Sequence, residues 1–170
     1  MVRFLPIAAR ATLVLALIAS AAQPPLGEAA AGDAKGTLSH KARTVTFKHA
    51  YLVTGPDGLD PKKTVRRIIL SPRDVGAKVR GCQTMSCASG ELMEGLVVDM
   101  DGGPRLNYWM TLNDQLVQHS GTEPPAALKA TADEPKRLAG KLIFDDTAAG
   151  GPKVDVEFDA ALVKEYKAAR

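Results

Sequence analysis

With 170 residues, 45% of them apolar and 24% charged, the chain has the make-up of a folded globular protein and not of a disordered one. Its formal charge of +3 is small and dispersed, and its densest basic runs, Lys62-Lys63 and Arg66-Arg67, have acids nearby. This excludes the clustered cations with which a protein binds nucleic acid by releasing counterions, and it makes those runs a solvated strand face.

The N-terminus has three parts. Met1 to Arg10 carries Arg3 and Arg10 and no acid, Ala11 to Ala22 is apolar apart from Thr12 and Ser20, and small residues follow at Ala19-Ser20-Ala21. A basic start, a short apolar run and a small-residue exit describe a cleavable secretory signal over residues 1–21. The apolar run is about a dozen residues, short of the roughly 20 that a spanning helix needs. Cleavage is expected near Ala21 or Ala22, with a second candidate site after Ala29-Ala30-Ala31. No cysteine lies beside either, which argues against a lipid anchor, and no stable membrane span is expected after cleavage. Residues 22–35 mix Pro, Gly, Ala and charge without periodicity and are expected to be a flexible leader, with one β-rich domain over 36–170. The expected location is the periplasm or the cell exterior.

Alternating segments between closely spaced turn signals then predict antiparallel strands. A short strand is expected at Gly36 to Ser39 and a clear one at Thr44 to Val53, where Val45, Phe47, His49, Tyr51 and Val53 share a face. Gly55-Pro56-Asp57-Gly58 is a turn, and Thr64 to Leu70 the next strand. Ser71-Pro72 is expected to start a short helix through Val75 and Val79 that ends at Gly81. Gly95 to Asp101 and Arg105 to Leu112 form a hairpin, with Leu96, Val98, Met100, Leu106, Tyr108, Met110 and Leu112 as core. Leu116 to Ser120 is a strand, Gly121 to Pro125 a loop and Ala127 to Thr131 a weak strand. Arg137 to Phe144 and Lys153 to Phe158 form a last hairpin, and Ala160 to Ala169 has helical propensity. The fold class is mostly all-β, an antiparallel sandwich or partly open barrel of about seven to nine strands with one or two short helices.

The runs GTLSHKARTVTFKHAYLV, IILS, EGLVVDMDGGPRLNYWMTLNDQLVQHSG, RLAGKLIFDD and VDVEFDAALV resemble a group of exported bacterial β-domains. That group shares a "G-x-l … h-x-H-A-Y" opening and a closing "Gkl … v-x-F-d-a" hairpin. The resemblance covers most of the chain after the signal. It implies a β fold and export. It carries no established activity and no catalytic residue.

Cys82 and Cys87 are the two cysteines, and in an oxidising compartment they are expected to form a disulfide over a short loop. With Met85 they resemble soft-metal chemistry, which a disulfide would remove. His40, His49 and His119 lack metal-ligand spacing. Asp99-Met100-Asp101-Gly102 departs from a calcium loop at Gly103 and Pro104. Asp155, Glu157 and Asp159 fit the solvent face of an amphipathic strand. There is no nucleophile elbow, and Ser120 and His119 point to opposite faces. No catalytic residue, metal or cofactor is expected. His49, on an apolar face, is expected to be half-buried or buried. Trp109 alternates with Arg105 and Asn107, opposite the Tyr108 face. An indole among polar neighbours is a binding platform, lies under the C-terminal helix, or marks a strand buried on both faces. Trp109, Arg105 and Asn107 are the candidate binding surface. The expected function is non-enzymatic binding of an envelope component, a peptide or a small ligand. The alternatives are an accessory structural subunit of an envelope assembly and an enzyme of unrecognised type.

Overall fold

The computed structural model describes residues 32–112 and 119–170. The signal, most of the leader, and the start of the strand expected from Leu116 lie outside the described residues. Among those described, nine strands form one sheet: β1 (Gly32–His40), β2 (Arg43–Pro56), β3 (Thr64–Ser71), β4 (Gly95–Met100), β5 (Leu106–Thr111), β6 (His119–Glu123), β7 (Leu128–Glu134), β8 (Arg137–Asp145) and β9 (Lys153–Glu165). Their order is β6-β5-β4-β3-β2-β1-β9-β8-β7. All neighbours are antiparallel, and the end of β9 also pairs in parallel with β2, Leu52 opposite Leu162. Two short helices, α1 (Gly76–Gly81) and α2 (Met85–Gly90), lie between β3 and β4.

The sheet curls into a half-barrel, so the partly open barrel of the two expected architectures is the one present. Side chains from both ends of the sheet meet in one inner cluster that includes Phe47, Leu52, Leu70, Tyr108, Met110, Phe144 and Val156. Tyr108 on β5 and Phe144 on β8 are far apart in strand order, yet their ring centroids are 4.8 Å apart. The Tyr108 hydroxyl donates to Asp146, just beyond β8. Burial and then that carboxylate push the Tyr108 phenol well above its ordinary pKa. Gly121 on β6 makes room for this ring, since a Cβ there would sit 2.6 Å from the Tyr108 Oη. A second tie joins the interior of the sheet to its β7 edge. Arg66 on β3 donates to Asp101 and to Asp133 on β7.

The outer face carries a separate cluster of Tyr51, Val53, Ile69, Val79, Met85, Val97 and Tyr166 under the two helices. β2 serves both clusters. Val45, Phe47, Ala50 and Leu52 face inward while Tyr51 and Val53 face out. The expected single face for Val45, Phe47, Tyr51 and Val53 is therefore split, because the phase slips by one between Phe47 and Ala50. A register irregularity lies alongside, between Asp33 and Gly36 of β1. Gly36 has φ 148°, and a Cβ there would meet the Asp155 carbonyl oxygen at 2.1 Å. His49, at the slip, is half-buried beside Tyr51.

Four expectations about element ends are corrected. β1 begins at Gly32, inside the segment expected to be leader, because Gly32 and Asp33 pair with Ala50 and His49. The first helix starts at Gly76 and not at Ser71-Pro72. Ser71 ends β3, and its hydroxyl accepts from the Arg73 N–H. The organiser is Asp74, whose Oδ1 accepts from Gly76 N–H at 2.8 Å and from Tyr51 Oη at 2.7 Å. These bonds hold its carboxyl below the ordinary range. β6 continues to Glu123 through the expected loop, since Gly121 and Thr122 pair with Tyr108 and Asn107. The C-terminal helix is absent: strand pairing with β8 and β2 carries β9 to Glu165, which overrides helical propensity.

Candidate functional site

The outer face of β3, β4 and β5 carries a groove of about 560 Å³. Its floor is built from register. Arg67, Asp99 and Asn107 form one cross-strand row, and Ile69, Val97 and Trp109 form the next. Ser86, Ser89 and Gly90 of α2 with Leu92 make one wall, and Asp57, Gly58 and Leu59 of the β2–β3 turn make the other. The volume lies within the range of ordinary small-ligand sites.

Arg67 joins the floor to the helical wall. Its Nε and Nη2 grip the Asp99 carboxylate, with Nη2 to Oδ2 at 2.7 Å. Its Nη1 donates to Ser89 Oγ at 2.7 Å and to the Met85 carbonyl at 3.1 Å. The guanidinium carbon also stands 5.8 Å from the centre of the Trp109 ring. Asp57 is held by its own turn, accepting from Leu59 N–H at 2.6 Å and Asp60 N–H at 3.1 Å. Those two backbone donors lower its pKa.

Of the candidate surface, Trp109 and Asn107 line this groove and Arg105 does not. Arg105 reaches across to β6, donating from Nε to Thr122 Oγ1 at 2.9 Å and from Nη2 to the Thr122 carbonyl at 2.8 Å. Trp109 is half-buried and packs against the outer cluster. No C-terminal helix covers it. Residues 168–169 instead run past the start of α2, their carbonyls accepting from Met85 and Ser86 N–H.

The sequence reading missed Arg67, Asp99 and the α2 wall. The basic pair Arg66-Arg67, expected to be a solvated face, is engaged on both sides of the sheet by Asp101, Asp133 and Asp99. The available signal was parity: Arg67, Asp99 and Asn107 are polar positions on the outer face of three consecutive antiparallel strands.

Cys82 and Cys87 form a disulfide that joins the end of α1 to α2, with Cα atoms 5.5 Å apart. Both lie within 4.8 Å of a Glu91 oxygen, but the bond leaves no thiolate for a metal. Lys164 Nζ caps the Arg80 and Cys82 carbonyls, and Tyr166 Oη donates to the Val79 carbonyl. α1 is thus fixed to the end of β9, and the disulfide links α2 to it. Alkylation of the folded protein without reductant is expected to label neither cysteine. Replacing both with serine should cost about 2 kcal/mol by loop entropy, read by urea unfolding with and without the bridge.

Two of the three alternating acids of β9 have close basic partners. Asp155 pairs with Lys141 at 3.0 Å and Asp159 with Arg137 at 2.7 Å, on an exposed strand face where such pairs contribute little. Asp99 and Asp101, the start of the calcium-like run, are bound to different arginines. At the half-barrel mouth, His119 Nε2 lies 3.5 Å from Asp146 Oδ2, and the His40 and His119 rings are 6.3 Å apart. Burial and then Asp146 raise the Glu123 pKa there.

In the groove, the Ser89 hydroxyl lies between the Met85 carbonyl, 3.1 Å away, and the Arg67 guanidinium. An always-protonated guanidinium cannot serve Ser89 as a base. Among the described residues, no helix is long and apolar enough to cross a membrane. The chain matches no family model, no curated protein and no solved structure.

Proposed function

We propose that the protein is a non-enzymatic binding domain, exported to the periplasm or the cell exterior, that takes a small ligand into the groove over Trp109. The observation that carries this reading is the groove itself: an indole and an amide on rigid interior strands, facing a helical wall held by Arg67 and a disulfide. Pre-set side chains lower the ordering cost of binding. The large exposed apolar residues among those described, Leu59, Met93 and Ile143, lie on the β2–β3 turn, after α2 and on β8. Scattered single residues do not make the contiguous patch that an assembly subunit would present.

Trp109→Ala tests the proposal. Because the indole is half-buried, its removal should cost roughly 1–2 kcal/mol, less than the 3–5 kcal/mol of a fully buried aromatic. A small-molecule library screened by thermal shift should give compounds that raise the Tm of the natural protein and leave the variant unmoved. Compounds that stabilise both equally would place the site elsewhere.

Export has its own measurement. Intact mass of protein secreted from a bacterial host should put the new N-terminus between Ala22 and Gly32, just ahead of β1. A mass that retains residues 1–21 would remove the signal reading.

A further inference from the structure

We infer that the ligand of this groove is a neutral saccharide, its pyranose ring lying against Trp109. The inference rests on the groove being the binding site and names what the site would select. Three features of the lining carry it.

The first is charge. The floor's cation and anion neutralise one another, since Arg67 and Asp99 are joined at two points and their side chains are only 14% and 12% exposed. The other two charges on the lining are opposite in sign, Asp57, whose Oδ1 accepts from two backbone N–H groups, and Arg170. The lining therefore carries two acids and two cations, and a charged ligand meets no net counter-charge.

The second is the type of polar group. Asn107 offers two donors and an acceptor, Thr111 a hydroxyl, and Asp99 keeps acceptor sites beyond the two that Arg67 takes. Hydroxyl groups both donate and accept, so a ring edged with hydroxyls can use all three. The C–H face of the same ring is apolar and needs a flat apolar surface. Trp109 supplies it beside Val97, with Leu92 and the exposed Leu59 also on the lining.

The third feature excludes the commonest alternative, a peptide added as a strand. The floor strands β3, β4 and β5 are each paired on both sides. Their backbone groups are spent in the sheet, and strand addition needs a free edge.

The chain has a single tryptophan, so its fluorescence reports Trp109 alone. The full exported chain is titrated with cellobiose, maltotriose and tri-N-acetylchitotriose, after a screen on an array of neutral and acidic glycans. At least one neutral saccharide should shift the emission saturably, and Asn107→Ala should weaken it about tenfold by removing the amide partner of a ring hydroxyl. Thr111→Val, which keeps the shape, should also weaken it. A saccharide response that both variants leave unchanged overturns the inference, as does binding confined to acidic glycans. The dye anilinonaphthalene sulfonate separates the inference from the reading beneath it. Dye binding lost in Trp109→Ala but displaced by no glycan keeps the groove as a site and removes the saccharide. No response of Trp109 to dye or glycan removes both.

Discussion

Tyr108→Ala should destabilise the fold by about 3–5 kcal/mol, the cost of truncating a fully buried aromatic side chain. Tyr108 is 1% exposed and sits where the ends of the curled sheet meet. Its ring packs on Phe144 across the interior, and its hydroxyl holds Asp146. Removing it opens a cavity and also lets β5 and β6 part from the β8–β9 turn. Tyr108→Phe separates the two effects. It keeps the ring and should cost about 1 kcal/mol, because the Asp146 side chain is 23% exposed and can turn to water for the lost donor. Urea unfolding checks both. A loss below about 1 kcal/mol in the alanine variant would mean that the half-barrel does not depend on this contact.

The second large effect concerns the floor of the groove. Arg67→Met leaves the Asp99 carboxylate unpaired at 12% exposure. Breaking a buried ion pair costs about 3–5 kcal/mol, and the residual exposure here lowers the expectation to roughly 2–4 kcal/mol. The double variant Arg67→Met with Asp99→Leu should recover most of that stability, since no stranded charge remains. It should not recover binding. Arg67 also fixes Ser89 and Met85 of α2, so both variants lose the link between floor and wall. A double-mutant cycle gives the coupling, and Trp109 fluorescence with bound ligand gives the second readout. Full binding by the double variant would show that the ion pair does not shape the groove.

These effects fall on residues that were unequally legible in the sequence. Tyr108 was readable as core because Leu106, Tyr108, Met110 and Leu112 alternate with polar residues, and a period of two carries its own evidence of a buried face. Its partners were not readable, since nothing local links Tyr108 to Phe144 or Asp146 across a curled sheet. Trp109 and Asn107 were readable by the same alternation as an outward pair. Arg105 belongs to that parity too, but a long side chain can leave its row, and Thr122 draws it to β6. Arg67 was hidden because a partnered and a solvated arginine look alike until the facing strand is known. The second helix was hidden as well: Met-Ser-Cys-Ala-Ser-Gly is a weak helix former, held by the Thr84 cap, the disulfide and the sheet beneath. The missing C-terminal helix is the reverse case, a segment of good helical propensity drawn into a long strand by two partners.

The strand order has a consequence for when the fold can form. β1 and β9, the first and last strands, lie side by side in the middle of the sheet, with Gly36 opposite Val156. On each side of the seam, strands consecutive in sequence are neighbours in the sheet, β1 to β6 on one side and β7 to β9 on the other. The seam between the halves joins residues more than a hundred positions apart, so its loop-closure entropy precedes any gain from pairing. Until β9 emerges, β1 is an unpaired edge and the interior lacks Val154, Val156 and Phe158. The last strand therefore acts as a keystone, and a chain still being synthesised remains open along its middle.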